Sequence, residues 1–380
     1  IQTRENDLVA ASFGRGFWIL DDYTPLRHVD ATEIEKEALL FPVRDALWYL
    51  PELTLGDFGV NGKASQGDGF FVAPNPPFGA VFTYYLKEGL STAREQRRES
   101  EKKLEKAGED TPYPGWKALR KEEIEEEPAI VLTVTDAEGQ VIRRIECPGQ
   151  AGFHRVAWDL RYPLSSPWAP EPAGEQWLVI MGPLAAPGTF RVSLARRENG
   201  RLNELGLSQE FEVVPLGERG LEGAPVDEMT RFALELDDLK RQVTGAGAAI
   251  KTLLTETGAI KQTLLRSDAA EGLRDRARAL ELELLELQQQ IDGNKARDLY
   301  SDIGPVSISR RLNVAVMGTF RSTYGPTPTH RKSVEIAHSE FSGVRERLQA
   351  ISTTELPDLR RDLDAAGVPW TPGRGVPATD

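Results

Sequence analysis

The hydrophobic period changes once along this chain, near Gly217–Pro225, and that change divides it into two kinds of structure. Before it, Ala129 to Val214 is dense in strand signals, with apolar and polar residues alternating over Ile130–Thr135 and Phe153–Leu160, the period of strands with one covered face. After it, Met229, Phe232, Leu236, Leu239 and Val243 are spaced 3, 4, 3 and 4, and Ile250, Leu253 and Leu254 continue the stripe past Gly245 and Gly247. Leu273, Ala277, Leu280, Leu284, Leu287 and Ile291 repeat the spacing, as do Val334, Ala337, Phe341, Val344, Leu348 and Ile351. Such stripes lay helices side by side with slight supercoiling. They predict an antiparallel helical bundle over 226–366, with a shorter helix over Ser307–Phe320 and a tail over 367–380. The breakers Gly258–Ala269 and Gly293–Pro305 are expected to be its loops.

The alternating half predicts strands at Ala80–Leu86, Ile130–Thr135, Val141–Ile145, Phe153–Leu160, Pro187–Leu194 and Ser208–Val214. Glu198-Asn199-Gly200 is a tight hairpin turn of the Asn-Gly kind. About seven short strands over 80–216 fit an immunoglobulin- or fibronectin-type sandwich, without the Cys…Trp…Cys spacing of antibody domains. Residues 87–127 interrupt it. They are dense in both signs of charge, and pairs such as Arg97/Glu101 and Glu99/Lys103 suit exposed helices. Pro112-Tyr113-Pro114-Gly115 breaks this stretch into two helices, read either as a solvated hairpin or as a docking arm for a partner. Residues 51–79, rich in Gly, Pro, Asn and Asp, read as an irregular linker.

Residues 1–50 open on Leu8-Val9-Ala10-Ala11, a Phe13-Gly14-Arg15-Gly16 turn and Phe17-Trp18-Ile19-Leu20, a hairpin signal with apolar residues on both faces. A third strand is expected near Leu39–Pro42. So few strands cannot stand alone and need a larger sheet or another layer. The stretch Asp7–Asp22, with Thr24-Pro25-Leu26-Arg27 and Leu40-Phe41-Pro42-Val43-Arg44-Asp45-Ala46, resembles the last blade of large bacterial WD40/YVTN/BNR-like, sortilin-like β-propeller proteins. In that family an "hGRsFWILDD" stretch closes the propeller. Phe153–Tyr162, Ala186–Leu194, the stretch from Thr319 to Ala337 and Ala365–Arg374 resemble later landmarks of the same family, in unchanged order.

The resemblance implies a multidomain α+β chain: a blade remnant over 1–50, the sandwich, the bundle, and a propeller body in cis or on another chain. A propeller takes at least four blades of about 40 residues, and only one remnant fits here. It further implies a secreted or periplasmic, non-catalytic accessory region that docks domains or assembles proteins, including copies of itself. Relatives are often labelled glycosyl hydrolases, so the alternatives are the C-terminal part of a glycoside-hydrolase- or sialidase-like enzyme, or a carbohydrate-binding module.

Composition narrows the chemistry. With 46 Lys+Arg against 59 Asp+Glu the net charge is −13, a poor match to a nucleic-acid backbone. No apolar run reaches the ~20 residues of a membrane helix, and no signal-peptide pattern opens the chain. One cysteine, Cys147, excludes an intrachain disulfide framework and a Cys-cluster metal site; His28, His154, His330 and His338 fit no metal spacing. No cofactor, metal or catalytic residue is therefore assigned. Asp21-Asp22 reads as a turn cap, since neighbours on a strand face opposite ways and cannot flank one sugar bond. Gly245–Thr252 resembles a phosphate loop but has Ile250 where the glycine before Lys251 belongs, and it lies inside a heptad stripe. Small residues there are expected to let helices approach closely or to mark a kink. Trp168, Trp177 and Tyr162, in and beside the loop Pro163–Pro183, are the candidate ligand or partner surface, because aromatics stack on sugars and anchor interfaces.

Overall fold

The computed structural model describes residues 1–14, 16–51, 69, 76–167, 181–217, 220, 222–267, 271–302, 304–320 and 322–376. The fold is mixed α and β. The chain forms two compact units, Ile1–Pro163 with Leu184–Glu218, and Leu164–Pro183 with Arg219–Asp380.

Among the described residues the first unit holds three sheets. The hairpin β1 (Leu8–Ala11) and β2 (Phe17–Leu20) is a two-stranded sheet by itself. A three-stranded antiparallel sheet runs in the order β3 (Ala38–Leu40), β5 (Ala80–Leu86), β8 (Gly152–Trp158). A five-stranded sheet runs β4 (Ala46–Trp48), β10 (Arg201–Pro215), β9 (Gly188–Glu198), β6 (Ala129–Asp136), β7 (Val141–Cys147). The β9–β10 turn has Asn199 and Gly200 both at positive φ, as a two-residue turn of the Asn-Gly kind requires. Side chains from the two larger sheets share one aromatic core. Phe82 meets Phe211 edge-on with centroids 5.5 Å apart, and Trp158 meets Phe190 at 5.2 Å. The Trp158 indole, fully buried, donates to the Arg161 carbonyl at 2.9 Å, so its polar edge is satisfied.

Sequence reading groups residues 1–50 together, and here the structure differs. β3 pairs with β5, and β4 pairs in parallel with β10, so residues 38–48 supply strands to the two larger sheets rather than to the hairpin. Leu39, Leu40 and Phe41 are buried there, whereas the hairpin's apolar residues are not. Burial decides which sheet a short apolar strand joins.

Helices α1 (Ala93–Ala107) and α2 (Trp116–Ile124) form the charged insertion. Arg97 is the clamp between them. Its guanidinium donates to both Glu122 oxygens, at 2.7 and 2.8 Å, and to Glu101 at 2.6 Å.

The second unit is helical: α3 (Val226–Leu264), α4 (Glu271–Asp292), the short α5 (Lys295–Leu299), α6 (Ile308–Thr319), α7 (Pro328–Ala350) and α8 (Leu356–Ala365). Their heptad positions close one core, with Ile250, Ile260, Ala277, Leu284, Ala315, Ala337, Leu356, Leu359 and Leu363 wholly buried. α3 continues through Gly258, where a loop is expected, because Ile260 and Leu264 carry its buried stripe onward. A π-turn, Ile351–Glu355, joins α7 to α8. Pro357 has no N–H for the Thr353 carbonyl, and the wider turn absorbs that missing bond. The tail after α8 is tied down. Buried Arg374 donates to the carbonyls of Val368 (3.1 Å) and Pro369 (2.9 Å) and pairs with Asp364.

Candidate functional site

The hairpin is the one sheet of the described residues whose apolar side chains lie mostly open to solvent. Its register opposes Val9 to Ile19 and Ala11 to Phe17 on one face, and Leu8 to Leu20 and Ala10 to Trp18 on the other. Phe17 is 76% exposed and Trp18 71%, so neither face is covered. Phe13, at the turn, is fully exposed. A two-stranded ribbon with both faces wet is marginal in water. Its outer edges also present unpaired backbone groups.

Polar contacts hold its base. Ser12 N–H donates to the Gly16 carbonyl at 2.9 Å, closing the turn. At the other end the Asp22 N–H donates to Asp7 Oδ1 (3.0 Å) and the Tyr23 N–H to the Asn6 carbonyl (2.8 Å). Asp22 sits at φ +43°, and its carboxylate accepts from the Thr24 N–H at 3.2 Å. That is local capping, as the Asp21-Asp22 pattern leads one to expect. The Arg155 guanidinium, from β8, donates to the carbonyls of Asp21 and Asp22, and Arg44 donates to the Glu5 carbonyl (2.8 Å) and side chain (2.6 Å). The base is thus pinned to its own unit while the apolar strands are left open. Arg44 and Arg155 do this pinning, and sequence reading does not single them out, because their partners, main-chain oxygens and for Arg44 also the Glu5 carboxylate, lie far away in the chain.

The other candidates fall as follows. Trp168 and Trp177 lie outside the described residues. Tyr162 is half-buried. Burial, then the nearby Asp136 charge, push its phenol above the ordinary range. Next to it Arg161 is buried, and loss of solvent pulls its guanidinium below the usual value. Cys147 is buried with its Sγ 3.3 Å from the Ile145 carbonyl, and burial raises the thiol to about 11. That makes it a poor nucleophile. His154 stacks on Tyr84 with centroids 5.0 Å apart, and its Nε2 lies 2.7 Å from the Gln150 carbonyl. His330 belongs to the N-terminal cap of α7 with Thr327. Among the described residues no group of three or more His, Cys, Asp or Glu is arranged for a metal ion, and no helix is long and apolar enough to cross a membrane.

Gly245–Thr252 is continuous helix, and the Thr252 hydroxyl donates to the Ala248 carbonyl at 3.1 Å. A Cβ on Gly245 or Gly247 would meet nothing within 4 Å, so the glycines serve no close approach. The exposed Tyr113–Trp116 pair at the α1–α2 turn is also unannounced by any motif. The available signal is position: a Pro-Tyr-Pro-Gly-Trp break between two charged helices puts its aromatics at a tip.

Comparison of the chain with protein families, with curated proteins and with solved structures finds no match.

Proposed function

We propose that this chain is a non-catalytic accessory and interaction region of a secreted or periplasmic β-propeller protein, in which β1 and β2 are strands of a blade completed by other strands. The observation that carries this reading is the hairpin: apolar on both faces, exposed on both, with its base anchored. A sheet packed on one side needs only one apolar face. A propeller blade lies between two neighbouring blades and needs both. On the same reading the β3–β5–β8 and five-stranded sheets form an immunoglobulin- or fibronectin-like sandwich, supported by their shared aromatic core. The helices of the second unit form an antiparallel bundle, supported by the heptad stripes that close its core. Both act as rigid bodies that dock or assemble around the propeller.

Hydrogen–deuterium exchange tests it. In this chain alone, the amides of Leu8–Leu20 are expected to exchange as fast as a frayed ribbon, while β5, β6 and β9 stay protected. In the longer gene product or with the propeller body added, the same amides become protected. Protection of Leu8–Leu20 in the isolated monomer, at the level of β5, overturns the reading.

A further inference from the structure

The insertion between β5 and β6 is built like a lever. Thr92 and Glu95 form a capping box at the foot of α1, and the Glu125 carboxylate accepts from the Ala93 N–H at 2.8 Å, tying the two feet together. Arg97, one turn further on, clamps the same end through Glu122 and Glu101. Beyond the clamp the two helices continue to a turn that begins at Gly108, left-handed at φ +74°.

That turn carries Tyr113 and Trp116, edge to face with centroids 5.8 Å apart, 63% and 80% exposed. Rings this exposed bury little of their area within the fold, apart from their contact with each other. Pro112 and Pro114 flank Tyr113, which stiffens the turn and removes two backbone donors from it.

The charge along the arm is sorted. From Lys102 to Arg120 there are five cations, Lys102, Lys103, Lys106, Lys117 and Arg120, against three carboxylates, Glu105, Glu109 and Asp110. The foot, 92–101 with 121–127, holds four cations against eight carboxylates. Arg120 pairs with Glu123, but none of the four distal lysines is in an ion pair among the described residues. The distal stretch therefore carries a small cationic excess on a chain of net charge −13, the sign that complements an anionic surface.

We propose that the distal end of the α1–α2 arm docks on an anionic lipid interface, with Tyr113 and Trp116 seated among the headgroups and Lys102, Lys103, Lys106 and Lys117 against the lipid phosphates. The aromatic types are those that prefer a membrane–water boundary, apolar in the ring and polar at the edge. Lysine stems are long enough to leave their ammonium groups at the phosphate layer. The rings stand exposed on a turn and line none of the described pockets, which fits a deformable lipid layer better than the shaped cavity a sugar or peptide would require. The prolines lower the cost of carrying main chain into that layer, since an N–H without a partner there is expensive. This surface is separate from the hairpin and does not depend on the propeller reading.

The test is sedimentation of the full chain with vesicles of pure phosphatidylcholine and with vesicles of equal parts phosphatidylcholine and phosphatidylglycerol. The chain is expected to sediment with the anionic vesicles, less so at high salt, and weakly or not at all with the neutral ones. Tyr113→Ala with Trp116→Ala is expected to lower partitioning about tenfold or more. Lys102→Glu with Lys106→Glu and Lys117→Glu should lower it similarly. All five positions are exposed, so an unchanged melting temperature verifies that each variant is folded. The proposal is overturned by failure to sediment with anionic vesicles, by binding that survives both sets of substitutions, or by retention on immobilised polyglutamate without any on vesicles, which points to an acidic protein instead.

Discussion

Glu256 is a carboxylate inside a helical core, 4% exposed, and its two oxygens accept from Arg360 at 2.6 and 2.7 Å. The carboxylate in turn holds the Arg360 guanidinium above its ordinary value. Gly373, at φ +92°, lies so close that a Cβ there would sit 2.3 Å from the Glu256 carboxyl carbon. The ion pair and the tail are therefore one structure: the tail covers the pair, and only glycine lets it come near enough. Removing one member of a buried pair strands the other charge. Glu256→Ala is expected to cost about 3 kcal/mol, while Glu256→Leu with Arg360→Leu costs less because no charge remains to be buried. Gly373→Ala is expected to cost about 1–3 kcal/mol through both its backbone conformation and its contact with the carboxylate. Urea denaturation measures all three. A double variant as damaging as Glu256→Ala alone would mean that packing volume, and not charge, holds the tail. Nothing in the local sequence marks Glu256, since its partner is over a hundred residues away. A lone acidic residue in a heptad stripe reads as a surface residue until the tail is seen to cover it.

At the scale of elements, α3 shows where periodicity succeeds and where it misleads. The stripe Phe232–Leu236–Leu239–Val243 is buried as its spacing requires, and so are Ile250 and Leu253. The glycines between them suggest a kink or close helix contact, yet an added Cβ at Gly245 or Gly247 reaches open space. They are conformationally costly positions with no compensating contact. Gly245→Ala and Gly247→Ala should each stabilise the chain by about 0.5–1 kcal/mol, visible as a raised denaturation midpoint with an unchanged slope. A lowered midpoint would mean that the helix needs to bend there. Strands follow the same division. β6 and β8 are legible as alternation, and the β9–β10 turn as Asn-Gly, because both signals are local. The parallel pairing of β4 with β10 is not legible, because Val213 pairs with Ala46, 167 residues earlier, and no local pattern encodes it. The hairpin is legible as two strands and a turn. Its exposure is not, because an apolar run reads the same whether or not anything covers it. Tyr113 and Trp116 stayed hidden for the same reason.

At the scale of the whole molecule, each unit closes its own core: aromatic and β-branched side chains between the larger sheets of one, heptad leucines and isoleucines among the helices of the other. The chain also carries separate reporters for the two. Its single cysteine, Cys147, ends β7, is buried, and has its thiol raised to about 11, so in the folded sheet unit it is both inaccessible and protonated at pH 8. It reacts with a thiol reagent only when that unit opens, since an unfolded thiol ionises near pH ~8.5. Most of the helix, by contrast, belongs to the second unit, so the far-ultraviolet circular dichroism follows chiefly that one. Leu284 is wholly buried at the centre of the helical core. Leu284→Ala leaves a cavity that its neighbours fill only in part, a loss of about 3 kcal/mol. With two cores, the helical signal should lose stability in urea while the urea dependence of Cys147 labelling stays where it was. With one cooperative core, both curves would shift together by the same amount, and the division of the chain into two folding units would fail.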